Sequence, residues 1–148
     1  MSRRETPMTL WYWSQTGGLL LEEFMVVRKS PGQERRLVDG LIVLGEEARR
    51  SSRGERFDIR DRDVIVVQTK TGRLGMYLMG QTLFSLQLVK DPGVRSVQSV
   101  ALCAATDARL QPMLEAYPGC RVVVCPTDAR VPMENGNEAD LGVISEVA

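Results

Sequence analysis

Two apolar runs in this chain carry polar side chains that a buried strand has no structural need of. The first is Arg35-Arg36-Leu37-Val38-Asp39-Gly40-Leu41-Ile42-Val43-Leu44, with a carboxylate near its centre. The second is Asp63-Val64-Ile65-Val66-Val67-Gln68-Thr69-Lys70, with an amide and an amine at its end. Both have the length of an ordinary strand and are rich in Val, Ile and Leu. An unpaired carboxylate buried at Asp39 would cost several kcal/mol, so it needs a partner. Gln68 and Lys70 stand at i and i+2, which on a strand turns both side chains to one face. If the runs are neighbours, the three groups can converge. A divalent cation there would neutralise Asp39, and Lys70 could stabilise an anionic phosphate or hold an attacking water.

Asp39, followed by Gln68-Thr69-Lys70 at the end of a second strand and then by a helix, resembles the PD-(D/E)XK, or restriction-endonuclease-like, nuclease superfamily. Its core strands carry an Asp and then Glu or Asp, any residue, Lys. Here Gln68 stands in place of the acid, and Val38 where the family name has Pro. The resemblance implies an α/β fold with a restriction-endonuclease-like core, a mixed central sheet flanked by helices. It implies a metal-dependent nuclease hydrolysing phosphodiester bonds, in DNA ahead of RNA. The implied cofactor is Mg²⁺ (or Mn²⁺), held by Asp39, the Gln68 carbonyl and an acid on the preceding strand, Glu23 first and Glu22 second. Lys70 would orient the attacking water, so the implied catalytic set is Asp39, Gln68, Lys70 and Glu23. Superfamily members also bring polar residues from the next helix into the site. Arg73 would then contact phosphate, and Tyr77 and Gln81 a substrate or water. Gln68 leaves the site one negative charge short, which keeps a second reading in play: a non-catalytic member of the fold serving as a nucleic-acid-binding or assembly module.

The absence of histidine excludes Ser-His-Asp and Cys-His catalytic units, HNH-type nuclease sites and zinc sites containing His. Acid-base chemistry must use carboxylates, Lys, Tyr or metal-bound water. No GxGxxG or Walker loop supports a third class, a small α/β protein binding a nucleotide or a partner protein. Net charge is zero, yet residues 1–100 hold 16 Lys+Arg against 12 Asp+Glu, and residues 101–148 hold 3 against 7. The basic excess lies with the candidate site, which fits phosphate contact and a nucleic-acid partner. A chain of 148 residues, 43% hydrophobic and 26% charged, fits one domain with a modest core. No apolar run approaches the roughly 20 residues of a membrane span. No apolar leader follows Met1-Ser2-Arg3-Arg4-Glu5, and Cys103, Cys120 and Cys125 form no CxxC pair. Reduced thiols and a cytoplasmic location are therefore expected, with Cys120 and Cys125 as packing residues. With no second domain for target recognition, selectivity would come from homodimerisation, substrate shape or a partner.

The elements that must position the site follow from local signals. Thr6-Pro7 predicts a helix start, with Leu10-Trp11-Tyr12-Trp13 packed on a sheet and Gly17-Gly18 as the stop. Leu19–Val27 reads as a strand, with an extended helix as the alternative, and Ser30-Pro31-Gly32-Gln33 turns it into a hairpin with 36–44. The charge-dense stretch from Gly45 to Asp61, with Arg49-Arg50-Ser51-Ser52-Arg53-Gly54, predicts a mobile loop able to touch a phosphate backbone. A largely buried helix is predicted from Arg73 to Lys90, ended by Asp91-Pro92-Gly93, with Arg73, Tyr77 and Gln81 on one face. A strand over 96–103, a helix capped by Thr106 or Asp107, and a strand over 121–125 predict a parallel crossover unit. The predicted nuclease-like domain covers residues 1–126, and an acidic, flexible tail covers 127–148.

Overall fold

The computed structural model of the chain describes residues 2–52, 54–90 and 92–130. Arg53, Asp91 and the expected tail from residue 131 onward lie outside the described residues. Helix α1 (Glu5–Thr16) leads into β1 (Leu19–Val27), β2 (Arg36–Val43), a two-residue β3 (Arg49–Arg50) and β4 (Asp63–Thr69). Then come α2 (Met76–Lys90), β5 (Ser96–Cys103), α3 (Leu110–Glu115), β6 (Cys120–Val124) and a 3-10 turn at Thr127–Arg130. The strands form one mixed sheet in the order β3-β1-β2-β4-β5-β6. β1, β2 and β4 are antiparallel neighbours, whereas β4, β5 and β6 run parallel and β3 pairs parallel to β1. The protein is thus α/β, with a six-stranded mixed sheet flanked by helices. Among the described residues no helix is long and apolar enough to cross a membrane.

Side-chain alternation explains the layers. On β4, Ile65 and Val67 face α1 with Leu20, Ile42, Val100 and Leu102, while Val64 and Val66 face the opposite side with Leu41, Val43 and Val89 of α2. Residues that read as an unbroken apolar run therefore serve two cores, as interior parallel strands do. A third cluster joins Leu78 and Leu86 of α2 to Ala101, Cys103, Leu114 and Cys120. All three cysteines are buried free thiols.

The hairpin forms at the predicted turn, where Ser30 and Gln33 exchange backbone hydrogen bonds of 3.1 and 3.0 Å. Gly18 has φ of 85°, and a Cβ there would lie 2.5 Å from the Val43 carbonyl oxygen, so glycine is required where α1 turns into β1. Helix α1 begins earlier than Thr6-Pro7. Ser2 Oγ accepts from the Glu5 amide at 3.2 Å and Glu5 Oε1 accepts from the Ser2 amide at 3.0 Å, a reciprocal Ser-x-x-Glu cap. Trp13 is buried, its indole N–H donating to the Gly18 carbonyl at 2.8 Å, so it serves the core.

Four other expectations change. Residues 45–52 and 54–61 are built into the fold: β3 extends the sheet, Arg49 holds Glu55 by two hydrogen bonds (3.0 and 2.7 Å), and Ile59 is buried with Phe57 packed beside it. Helix α2 starts at Met76, after Thr71-Gly72 and the bridge between Arg73 and Ala105, so Arg73 does not share a helical stripe with Tyr77 and Gln81. Nor is α2 buried by its apolar side chains alone: Thr82 and Ser85 point inward, while Met76, Tyr77 and Phe84 are exposed. At the C-terminal end, residues 127–130 belong to the packed body, because the 3-10 turn sets Ala129 against the α1 cluster.

Candidate active site

The ladder between β2 and β4 runs from Val43 opposite Val64 to Gly40 opposite Val67, and there it stops. Beyond that point side chains satisfy the backbone groups that strands would otherwise pair. The Thr69 amide donates to Asp39 Oδ2 at 2.9 Å, and the Asp39 amide donates to Gln68 Oε1 at 3.3 Å. Gln68 Nε2 then donates to Ser85 Oγ of α2 at 2.7 Å. Gln68, Thr69 and Ser85 are buried, and Asp39 is half-buried at the mouth of the fork.

The fork has a backbone cause. Val38 and Leu41 join the same hydrophobic cluster although they stand at i and i+3, so the alternation of β2 breaks across Asp39-Gly40. On the paired strand, Leu21 and Phe24 show the same break, and Glu23 between them has φ of 48°. Positive φ in a non-glycine residue is a strained conformation, here level with Asp39 in the register.

Helix α1 crosses close to the fork. Thr9 Oγ1 and Thr69 Oγ1 share a buried hydrogen bond of 2.8 Å, and a Cβ on Gly40 would lie 3.3 Å from Thr9 Cγ2. Gly40 thus lets α1 approach, which brings Glu5 of its first turn into the electrostatic reach of Asp39. Burial pushes the Asp39 carboxyl above its ordinary value, against the Thr69 hydrogen bond, and the charges of Glu5 and Glu23 push it further.

Of the expected residues, Asp39 and Gln68 are in contact, and Glu23 is near enough for its charge to act on Asp39. Lys70 is not brought into contact with Asp39: it follows β4 on the face that Gln68 turns toward α2, its amine 5.6 Å above the Tyr77 ring in a cation–π contact, while the side-chain charges acting on Asp39 are those of Glu5 and Glu23. Gln81 lies one turn beyond Tyr77 on α2. Two expected residues are committed elsewhere. Glu22 is ion-paired with Arg50 of β3, which also donates from Nη2 to Glu22 Oε2 at 3.2 Å. Arg73 donates to the Thr106 carbonyl at 2.5 Å, tying the entry to α2 to the loop after β5.

Glu5, Thr9 and Ser85 belong to the site but escape a reading of the two strands alone. The Ser2-x-x-Glu5 cap was a visible signal for the first. The inward Ser85 had no comparable signal, because the apolar residues of α2 show no one-sided pattern that would mark its buried face. Among the described residues no three carboxylates or thiols stand close enough together to form a metal site; the hard oxygens at the fork are those of Asp39, with Glu23 and Glu5 acting on it through their charge. Gln68 Oε1 has one lone pair engaged by the Asp39 amide and a second still to offer.

No family model, no curated protein and no solved structure matches this chain.

Proposed function

We propose that this chain is a metal-dependent nuclease of restriction-endonuclease-like fold that hydrolyses phosphodiester bonds in nucleic acid, DNA ahead of RNA. One observation carries the proposal. A half-buried carboxylate is held by the Thr69 amide where two strands part, with its pKa raised by burial and by the charges of Glu5 and Glu23. The chain order of helix, hairpin, strand, helix, strand agrees with it, as does the Gln68-Thr69-Lys70 end of β4.

Asp39 and Glu23 would hold Mg²⁺ or Mn²⁺, with the second lone pair of Gln68 Oε1 as a neutral ligand. Bound there, the cation supplies Lewis-acid stabilisation of a phosphoryl oxygen. Asp39 is fixed for this role by the Thr69 amide, and Gln68 by Ser85 and the Asp39 amide. Lys70 holds the attacking water or meets charge developing on the phosphate, and the Tyr77 ring beneath it limits where the amine can go.

A second reading, a non-catalytic nucleic-acid-binding or assembly module, draws on Gln68. Both ends of its amide are engaged in holding the fork, as in a residue kept for structure. Cleavage rate against Mg²⁺ and Mn²⁺ concentration, for wild type, Gln68→Glu and Lys70→Ala, separates the two. Gln68→Glu should fold, since Ser85 can reverse its hydroxyl to donate to a carboxylate. A nuclease keeps cleavage in Gln68→Glu, or needs less metal, and loses it in Lys70→Ala. Cleavage surviving in Lys70→Ala removes the assigned mechanism. Activity absent in the wild type but gained in Gln68→Glu identifies a degenerate nuclease and promotes the module.

A further inference from the structure

The outer face of α2 carries large apolar side chains beside Gln81 and Gln87, where a surface helix is normally polar or charged. Met76, Tyr77 and Phe84 are 65% to 78% exposed there. From Leu74 to Val89 the chain carries no charged residue. Gly80 sits at the centre of this face, with nothing within 4 Å of where a Cβ would be. Beside the ridge lies a groove of about 400 Å³ between α2 and α3, lined by Met79, Leu83, Met113 and Tyr117 among others. Met113 and Tyr117 are themselves half exposed.

From this we infer that a second copy of the chain covers α2, the two helices packing antiparallel across a two-fold axis near Gly80. A closed two-fold interface needs one patch that fits itself, and here ridge and groove stand side by side. Turned about Gly80, the ridge residues Phe84, Met76 and Tyr77 of each copy enter the groove of the other. The missing Cβ lets the backbones approach where they cross. The area fits as well. Three aromatic rings, each covering about 150–250 Å² when buried, with two methionines beside them, approach the roughly 800 Å² that each side of a stable interface contributes. Between Leu74 and Val89 the face carries no charge of its own and Lys70 stands at its edge over Tyr77, a single cation where a nucleic acid or an ionic protein surface needs several. Self-association tolerates a neutral patch, because residues near the axis meet their own kind.

The inference does not rest on the nuclease proposal, although Tyr77 is common to both, and sedimentation of the 148-residue chain from micromolar to hundreds of micromolar tests it. The expected result is a two-chain species that Phe84→Glu converts to single chains without altering the circular dichroism. Gly80→Cys provides a second test, safe for the fold because the site is open. Its thiol should couple the two copies under mild oxidation, whereas Glu34→Cys in the hairpin, outside the α2 face, should not. A wild type that stays single over the whole range overturns the inference, including the case in which residues 131–148 of the same chain cover the face. A dimer that survives Phe84→Glu and leaves Gly80→Cys uncoupled uses another surface and overturns it equally.

Discussion

Asp39 is the residue on which most of the chemistry rests, and its stability cost can be measured. Its carboxyl is raised by burial, so folding favours the protonated form. The penalty for the ionised form applies above the folded pKa and fades as the pH falls below it. Asp39→Asn keeps an oxygen for the Thr69 amide and removes the charge. It should raise the melting temperature at neutral pH, with the gain shrinking toward zero in acid; an equal gain at both would mean that charge is not the cause. The sequence showed that Asp39, Gln68 and Lys70 were out of place on apolar strands. It could not show that Glu22 would be taken by Arg50, or that Arg73 would be spent on the Thr106 carbonyl. Those pairings depend on a two-residue edge strand and on a loop 33 residues away, neither of which has local periodicity.

At the scale of elements, the strands were legible because Val, Ile and Leu runs bounded by turn residues say little else. The helices were less so. Alternation predicts which strand face is buried, but α2 is apolar around most of its circumference, and Thr82 and Ser85 lie on its inward face, Thr82 Oγ1 donating back to the Leu78 carbonyl at 2.8 Å and Ser85 Oγ accepting from Gln68. Ser99 Oγ donates to the Thr82 carbonyl at 2.7 Å and Gln68 to Ser85, a polar seam between sheet and helix. The junction of α1 with β1 should be the least tolerant connection. Gly18→Ala meets both a positive φ and the Val43 carbonyl, and should destabilise by about 1–3 kcal/mol in denaturant melts. At the other end of the sheet, Asp63 bonds Arg95 and Ser96 across the start of β4 and β5, which holds its carboxyl down to about 2. A depressed carboxyl contributes stability above its ordinary 3.8 that is lost as the pH falls through about 2. Asp63→Asn should lower stability by a constant amount above pH 5 and converge on the wild type as the pH falls through about 2, which flattens that part of the acid-unfolding curve; an unaltered acid limb would refute the assignment.

For the molecule as a whole, metal binding is the property that links the fork to global stability. Binding to the native state alone stabilises it by mass action, about 2.7 kcal/mol once free metal reaches about a hundred times the dissociation constant. Millimolar Mg²⁺ or Mn²⁺ should raise the melting temperature of the wild type, and Asp39→Ala should abolish the shift; an equal shift in that variant places the metal elsewhere. A different consequence follows from where α1 docks. The helix made first packs against β4, β5, Cys125 and the 3-10 turn that closes the described chain, with Arg121 of β6 bonded to the Tyr12 hydroxyl. It therefore has no complete binding surface until nearly all the rest has been synthesised. Both tryptophans of the protein, Trp11 and Trp13, lie on this helix. Their fluorescence is a built-in clock for the last event of folding. In refolding from denaturant, or on a ribosome, the indole blue shift should lag behind the gain of sheet signal, as α1 seats itself last.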